Sequence, residues 1–224
     1  MANLNYLCQN NNKLKTSSNT NIYSTLHILH YQEINLKEDS FKTCKYLNSQ
    51  FNILANNAIN EYGSASFVKT DFEIVNHKCE TQGRALVFSI GELSFGNVYL
   101  KSGTDNISRN QRENYCSEVI PQLLLDSKET GVISGDWNCI TEARDCTKHP
   151  DAKKSPCLKR LMSMKTLKDT FRTLHPDSSH YSRYYSRGGE EGPRGSTGAT
   201  AGGTWRWWRP GTPRWPSPTT WPTL

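Results

Sequence analysis

Gly131-Val132-Ile133-Ser134-Gly135-Asp136-Trp137-Asn138 is an apolar run that ends on a carboxylate and a carboxamide two residues apart. A buried strand that delivers an Asp and an Asn to its own C-terminal edge is how an α/β sheet builds a phosphate- or metal-handling site. The alternative is local, because Asp and Asn also cap turn backbone with their side chains.

Upstream, Ala85-Leu86-Val87-Phe88-Ser89-Ile90 and Phe95-Gly96-Asn97-Val98-Tyr99-Leu100 are β-rich runs separated by a turn around Gly91-Glu92, so an antiparallel pair is predicted. From Ser108 to about Leu125, Tyr115, Val119, Leu123 and Leu124 form a helical face that Pro121 interrupts. Ser155-Pro156 opens a second helix, a capping hydroxyl before a proline at the first helical position, expected to run toward Phe171. Near the N-terminus Asn3-Leu4-Asn5 opens a strand, and Leu26 to Tyr31 has strand character again.

With 224 residues, the chain has room for one sizeable core with an appendage. Its formal charge of +6 suits a polyanionic partner and equally suits a mildly basic soluble protein. The seven cysteines include no C-x-x-C pair, which favours structural thiols in a reducing compartment. Cys139, Cys146, His149 and Cys157 match no usual zinc frame. No apolar run approaches the roughly 20 residues that span a bilayer, and no leader pattern opens the chain. An intracellular protein, nuclear or cytoplasmic and not secreted, is the expectation, with no membrane and no obligate protein partner.

Composition changes near Gly188. Beyond it Ile, Val, Phe, Lys, Asn and Asp vanish, and five of the six tryptophans lie in a Gly/Pro/Thr/Arg-rich stretch without periodicity. The domain is therefore expected to occupy 1–189, incomplete, with 190–224 a disordered tail.

Strand ends that carry polar pairs form a set: Asn3-x-Asn5, Tyr31-Gln32-Glu33, Asn97-Val98-Tyr99 and Gly135-Asp136-Trp137-Asn138. Together with Leu167-Lys168-Asp169-Thr170-Phe171-Arg172-x-Leu174-His175-Pro176 and Tyr181-Ser182-Arg183-Tyr184-Tyr185, they resemble the endonuclease/exonuclease/phosphatase family. The nearest likeness is to the apurinic-endonuclease-like domain of LINE-type (non-LTR) retrotransposons, where such a domain accompanies a reverse transcriptase. The resemblance implies an α/β fold of two packed mixed β-sheets flanked by helices, a four-layer sandwich, truncated here at its C-terminal strands.

It also implies a DNA endonuclease that hydrolyses phosphodiesters with Mg2+ (or Mn2+). Glu33 would hold the metal, assisted by Asn3, and Asn5 would bind substrate nearby. Asp136 would position or deprotonate the attacking water, Asn138 would hydrogen-bond the scissile phosphate, and Tyr99 would support it through its hydroxyl. Tyr6 departs from the family, which has Gly after its N-x-N.

The family's closing Ser-Asp-His is absent, and His175 and His180 belong to the earlier segment. Read one base earlier, the codons over Pro193 to Gly198 permit Ala-Thr-Arg-Val-Asp-Arg, and those over Pro216 to Thr220 permit Ala-Phe-Ser-Asp-His. A frame change near Gly189 would account for the tail. Two functional readings follow: an impaired endonuclease, or a catalytically dead remnant that at most binds nucleic acid.

Overall fold

The computed structural model describes residues 4–10, 25–34, 49–56, 63–125, 127–128, 130–146, 151, 154–164, 167–178 and 204–207. Within these, ten strands form two mixed sheets. One is four-stranded in the order β1-β2-β4-β3, with β1 Tyr6–Asn10, β2 Ile28–Ile34, β3 Phe51–Asn56 and β4 Gly63–Lys69. The other is six-stranded in the order β5-β6-β7-β8-β10-β9, with β5 Val75–Cys79, β6 Ala85–Ile90, β7 Leu93–Tyr99, β8 Thr130–Asp136, β9 Leu167–Asp169 and β10 Thr204–Trp207. Strands β1 and β2 pair parallel, as do β7 and β8; the remaining pairs are antiparallel.

Period-2 alternation assigns each face. On β2, Leu29 and Tyr31 join Phe51, Ala65 and Phe67 on the outer face of the small sheet. Ile28 points the other way and meets Val68, Leu86, Phe88 and Phe95 between the sheets. The outer face of the large sheet buries Ala85, Val87, Val98 and Ile133 beneath helical residues that include Tyr115, Ile120, Leu158 and Leu161. Described helices thus cover that face, and the expected fold class stands: an open α/β sandwich of two mixed sheets.

The predicted antiparallel pair is β6 and β7, joined through Gly91 at φ 55°. The first helical region begins slightly earlier than its apolar face suggests, at α1 Asn106–Asn114, because Asp105 caps it by accepting from the Ser108 N–H at 2.8 Å. A π turn, Tyr115–Val119, then leads into α2 Ile120–Leu123. Pro121 has no N–H and crowds the carbonyl four residues back, and the chain relieves this by widening to i→i+5 bonding ahead of it.

Helix α3, Pro156–Met164, starts as predicted, with Ser155 Oγ accepting from the Leu158 N–H at 2.9 Å. It does not continue to Phe171. Leu167–Asp169 is β9 instead, and Asp169 then caps the short helix α4, Thr170–Leu174.

The tail also departs from expectation at one place. Thr204–Trp207 inserts as β10 between β8 and β9, with Trp205 opposite Ile133 and Asp169. Without it β8 would present unpaired N–H and C=O groups, and an alternating Thr-Trp-Arg-Trp segment suits such an edge. Tyr181 to Tyr185 and the other tail residues lie outside the described set. No described helix is long and apolar enough to cross a membrane.

Candidate active site

Inward-facing positions of β1, β2, β4, β7 and β8 change character along the strands. Near the start of β7 the interface is aromatic, with Phe88 stacked on Phe95 at 5.5 Å. Toward the C-terminal ends of β2, β7 and β8 it becomes polar. Gln32 Nε2 donates to Asn97 Oδ1 at 2.6 Å, and Asn97 Nδ2 donates to the carbonyls of Tyr31 at 3.1 Å and Ala65 at 2.9 Å. Gln32 also reaches Cys8 Sγ at 3.3 Å. Deeper, His30 Nδ1 lies 3.1 Å from the Tyr6 hydroxyl and 3.3 Å from Ser134 Oγ, and those two hydroxyls bond to each other. Burial holds the His30 imidazole neutral, its pKa lowered to about 3, and pushes the Cys8 thiol up.

Glu33 reaches the site through a break in alternation. Gln32 faces the large sheet, so Glu33 in regular β geometry would face away. A register shift between Gln32 and Ile34, with Glu33 at φ 57°, inserts one residue and restores Ile34 to the outer core. The bulge turns the Glu33 carboxylate toward Tyr99, whose hydroxyl donates to Glu33 Oε1 at 2.6 Å. A left-handed backbone at a non-glycine residue costs of order 1 kcal/mol or more, and such strain gathers at functional sites.

Tyr99 stands opposite Asp136 in the parallel β7–β8 register, and the Leu100 N–H donates to the Asp136 carbonyl at 2.8 Å. Gly135 makes that approach possible. Its φ is 151°, and a Cβ there would fall 1.8 Å from the Val98 carbonyl oxygen. Burial first, then the hydrogen bond and charge of Glu33, with Asp136 adding to both, raise the Tyr99 pKa far above its ordinary value. The phenol is therefore a permanent donor. The Arg84 guanidinium lies over its ring, 5.3 Å from the centroid.

Asn138 has φ 48°, donates its backbone N–H to Asp136 Oδ1 at 3.1 Å, and donates Nδ2 to the Leu100 carbonyl at 2.9 Å. It is buried, and it fastens the turn after β8 to the end of β7. The described geometry thus makes it a positioning group for Asp136. The Asp-x-Phe-Arg segment is similarly a clamp. Asp169 caps the Arg172 N–H at 2.9 Å, while the Arg172 guanidinium pairs with Asp145 and donates to the Ser178 carbonyl at 2.7 Å.

Of the residues expected from sequence, Glu33, Tyr99, Asp136 and Asn138 converge at one edge. Asn5 does not join them. Since β1 runs parallel to β2, Asn5 sits at the far end of the strand, its Nδ2 donating to the Thr25 carbonyl at 2.7 Å and its N–H to His27 Nδ1 at 2.9 Å. Asn3 lies outside the described residues. The strand is shifted forward from the expected position, so Tyr6 is a strand residue, and Asn10 is the β1 residue in register with Gln32. Alternation of Tyr6, Cys8 and Asn10 against Leu7 was the available signal. The Gln32–Asn97 clamp has no signature in sequence order, although both residues fall within the strand-end motifs.

The donor set at this edge is hard oxygen: the Glu33 carboxylate, with the Asp136 carboxylate close enough to act on Tyr99. One or two carboxylates completed by water is a coordination that magnesium accepts. Among the described residues no group of three or more His, Cys, Asp or Glu could hold a metal ion by itself.

Comparison with known proteins places the fold. No protein-family profile and no curated protein sequence matches the chain. Solved structures do. An AP endonuclease from Archaeoglobus fulgidus superposes with a TM-score of 0.70 at 14% identity, over 91% of this chain and 86% of that one. The Neisseria 3′ phosphatase NExo, solved with a product DNA hairpin, gives 0.61 at 15% identity, over 82% and 76%. Truncated Caenorhabditis elegans TDP2 gives 0.52 at 16% identity, over 84% and 73%. At these identities the likeness is one of fold: the chain has the two-sheet α/β architecture that these proteins share.

Proposed function

We propose that the chain is a phosphodiester hydrolase of the DNA endonuclease type, magnesium-dependent and of non-LTR retrotransposon lineage. The observation that carries this reading is the Tyr99 hydroxyl on Glu33 Oε1 at 2.6 Å, beside Asp136, where the polar ends of β2, β7 and β8 meet. The structurally similar proteins include an AP endonuclease and a DNA-bound 3′ phosphatase, which fits a phosphate ester as substrate.

Glu33 would hold the metal, which when bound supplies positive charge to the phosphate oxygens. Tyr99 fixes the carboxylate that would hold it, because its phenol stays protonated and donates to Oε1. Asp136 orients the attacking water and takes its proton as the new P–O bond forms and the ester P–O bond breaks. The leaving oxygen is protonated from solvent. Asn138 keeps Asp136 oriented through its N–H at 3.1 Å.

The Asp169-Thr170-Phe171-Arg172 segment supports the retrotransposon lineage, and the absence of Ser-Asp-His from the sequence supports a low rate. Magnesium-dependent nicking of supercoiled plasmid tests the reading: slow nicking that disappears in both Glu33→Ala and Asp136→Ala is expected. Nicking that survives both substitutions overturns the site.

The second reading, a catalytically dead DNA-binding remnant, rests on that same missing motif and is the outcome if the folded chain binds DNA without nicking it. The frame change near Gly189 is tested separately by codon-level sequence for 186–224. Stop codons in the shifted frame would end that idea.

A further inference from the structure

The Arg112 guanidinium plays no part in the chemistry proposed above, yet it is almost wholly enclosed on α1, at 1% exposure. A buried cation of this kind needs its N–H groups satisfied. Its Nη1 donates to the carbonyls of Lys101 at 2.8 Å and Gly103 at 2.9 Å, the two residues that flank Ser102.

The loop is anchored on both sides of this clasp. Upstream, the Leu100 N–H donates to the Asp136 carbonyl at 2.8 Å. Downstream, Gly103 has φ 116°, and a Cβ there would lie 2.6 Å from Ser108 Oγ and 2.8 Å from Asp105 Oδ2, the pair that caps α1. Ser102 is thus an exposed residue whose two neighbours are both fixed.

Its hydroxyl meets the site at Tyr99. Burial and Glu33 push the Tyr99 pKa up, while the Ser102 hydroxyl, hydrogen-bonded to the phenol, pulls the other way. That sense belongs to a donor, because only a donated hydrogen bond favours the phenolate. The phenol oxygen carries one proton and accepts through its lone pairs. With Ser102 donating to it, its own proton is left for Glu33 Oε1, 2.6 Å away.

We infer that Ser102 is a positioning residue: its hydroxyl, on a loop that Arg112 holds, aims the Tyr99 proton at Glu33 and so fixes the carboxylate that would hold the metal. The inference rests on the phosphodiester reading of this edge and goes beyond it, adding an exposed loop hydroxyl to a hydrogen-bond series that runs Ser102, Tyr99, Glu33. Linked hydrogen bonds polarise one another, so losing the outer one weakens the inner. Without the serine, water can accept as well as donate at the phenol, and the Tyr99 proton is no longer committed to Oε1.

The phenol, the metal and the reaction are read separately. The full chain is isotopically labelled at tyrosine Cζ, and the Tyr99 resonance is identified by its loss in Tyr99→Phe. In metal-free chain, Ser102→Ala is expected to shift that resonance, and Ser102→Thr, which keeps the hydroxyl, to return it. Manganese affinity, followed by electron paramagnetic resonance, should fall about 3-fold in Ser102→Ala and recover in Ser102→Thr. Adding Ser102→Ala to Tyr99→Phe should cost nothing further, because the serine acts through the phenol. Magnesium-dependent nicking should follow the same pattern. A Tyr99 resonance unmoved by Ser102→Ala overturns the pair. A moved resonance with unchanged manganese affinity, or an equal loss with and without the Tyr99 hydroxyl, overturns the positioning role. No manganese binding by wild type overturns the metal role of Glu33 and this inference with it. A moved resonance and weakened manganese binding, in a chain whose wild type nicks nothing, sink the catalytic reading and leave Ser102 positioning a metal-binding carboxylate.

Discussion

The interface between the two sheets has two ends built from the same strands. At one end Ile28, Val68, Leu86, Phe88 and Phe95 pack without a polar atom among their side chains. At the other end Gln32, Asn97, Cys8, His30 and Ser134 exchange hydrogen bonds directly behind Glu33, Tyr99 and Asp136. The first end is cohesive through area alone, and a change there alters stability in proportion to what is removed. The second end is satisfied only as a set, because each buried polar group depends on its neighbours. The difference separates the part of the interface that holds the sheets together from the part that aims side chains.

Substitutions at the two ends should therefore fail differently. Phe88→Ala, at the apolar end, is expected to lower unfolding stability by about 3–5 kcal/mol. Urea titration measures this, and chain that remains folded should keep its nicking.

Gly135→Ala tests the polar end through its backbone. A methyl 1.8 Å from the Val98 carbonyl oxygen must push β8 away from β7, so a loss of about 3 kcal/mol is expected, together with loss of any nicking. Full stability in this variant would mean that the close approach is not needed.

Asn97→Leu strands the Gln32 amide and two carbonyls, for about 1–3 kcal/mol. Unlike Phe88→Ala, it should also move Glu33 and lower activity in chain that is still folded.

His30 gives a pH signature. Its pKa falls from 6.5 unfolded to about 3 folded because burial disfavours the cation. Below pH 6.5 the unfolded chain binds a proton that the folded chain refuses, so this contribution to stability is complete above 6.5 and is lost as pH falls toward 3. The slope should approach about 1.4 kcal/mol per pH unit, read from urea midpoints, and flatten in His30→Asn.

Tyr99→Phe is the smallest in stability, about 1 kcal/mol or less, since one hydrogen bond is lost at a site edge. Its effect on nicking should be larger, about 10-fold or more. Equal activity would remove Tyr99 from the site.

Much of this architecture was legible because local patterns carried it. The β6–β7 pair follows from two β-rich runs around Gly91, and the start of α3 from Ser155-Pro156, where a capping oxygen and a fixed φ act on adjacent residues. The β1 register was not legible. Asn3-x-Asn5 offers the same side-chain types as the strand's real polar end, and only parallel pairing with β2 shows that Asn5 lies at the wrong edge. Leu167 to Asp169 continues a plausible helical stripe, and what makes it a strand is β10 arriving from the tail beside it.

By itself the sequence determined the strand that ends at Asp136, the turn and cap residues, and the set of polar side chains from which a phosphate site could be made. Those are short-range properties, fixed by alternation and by backbone preferences within a few residues. Only the tertiary structure decided that Glu33 faces Tyr99, through one inserted residue that reverses its side of the strand. It alone also set the Gln32–Asn97 clamp, because contacts between residues far apart in the chain depend on which sheets stack and in which register.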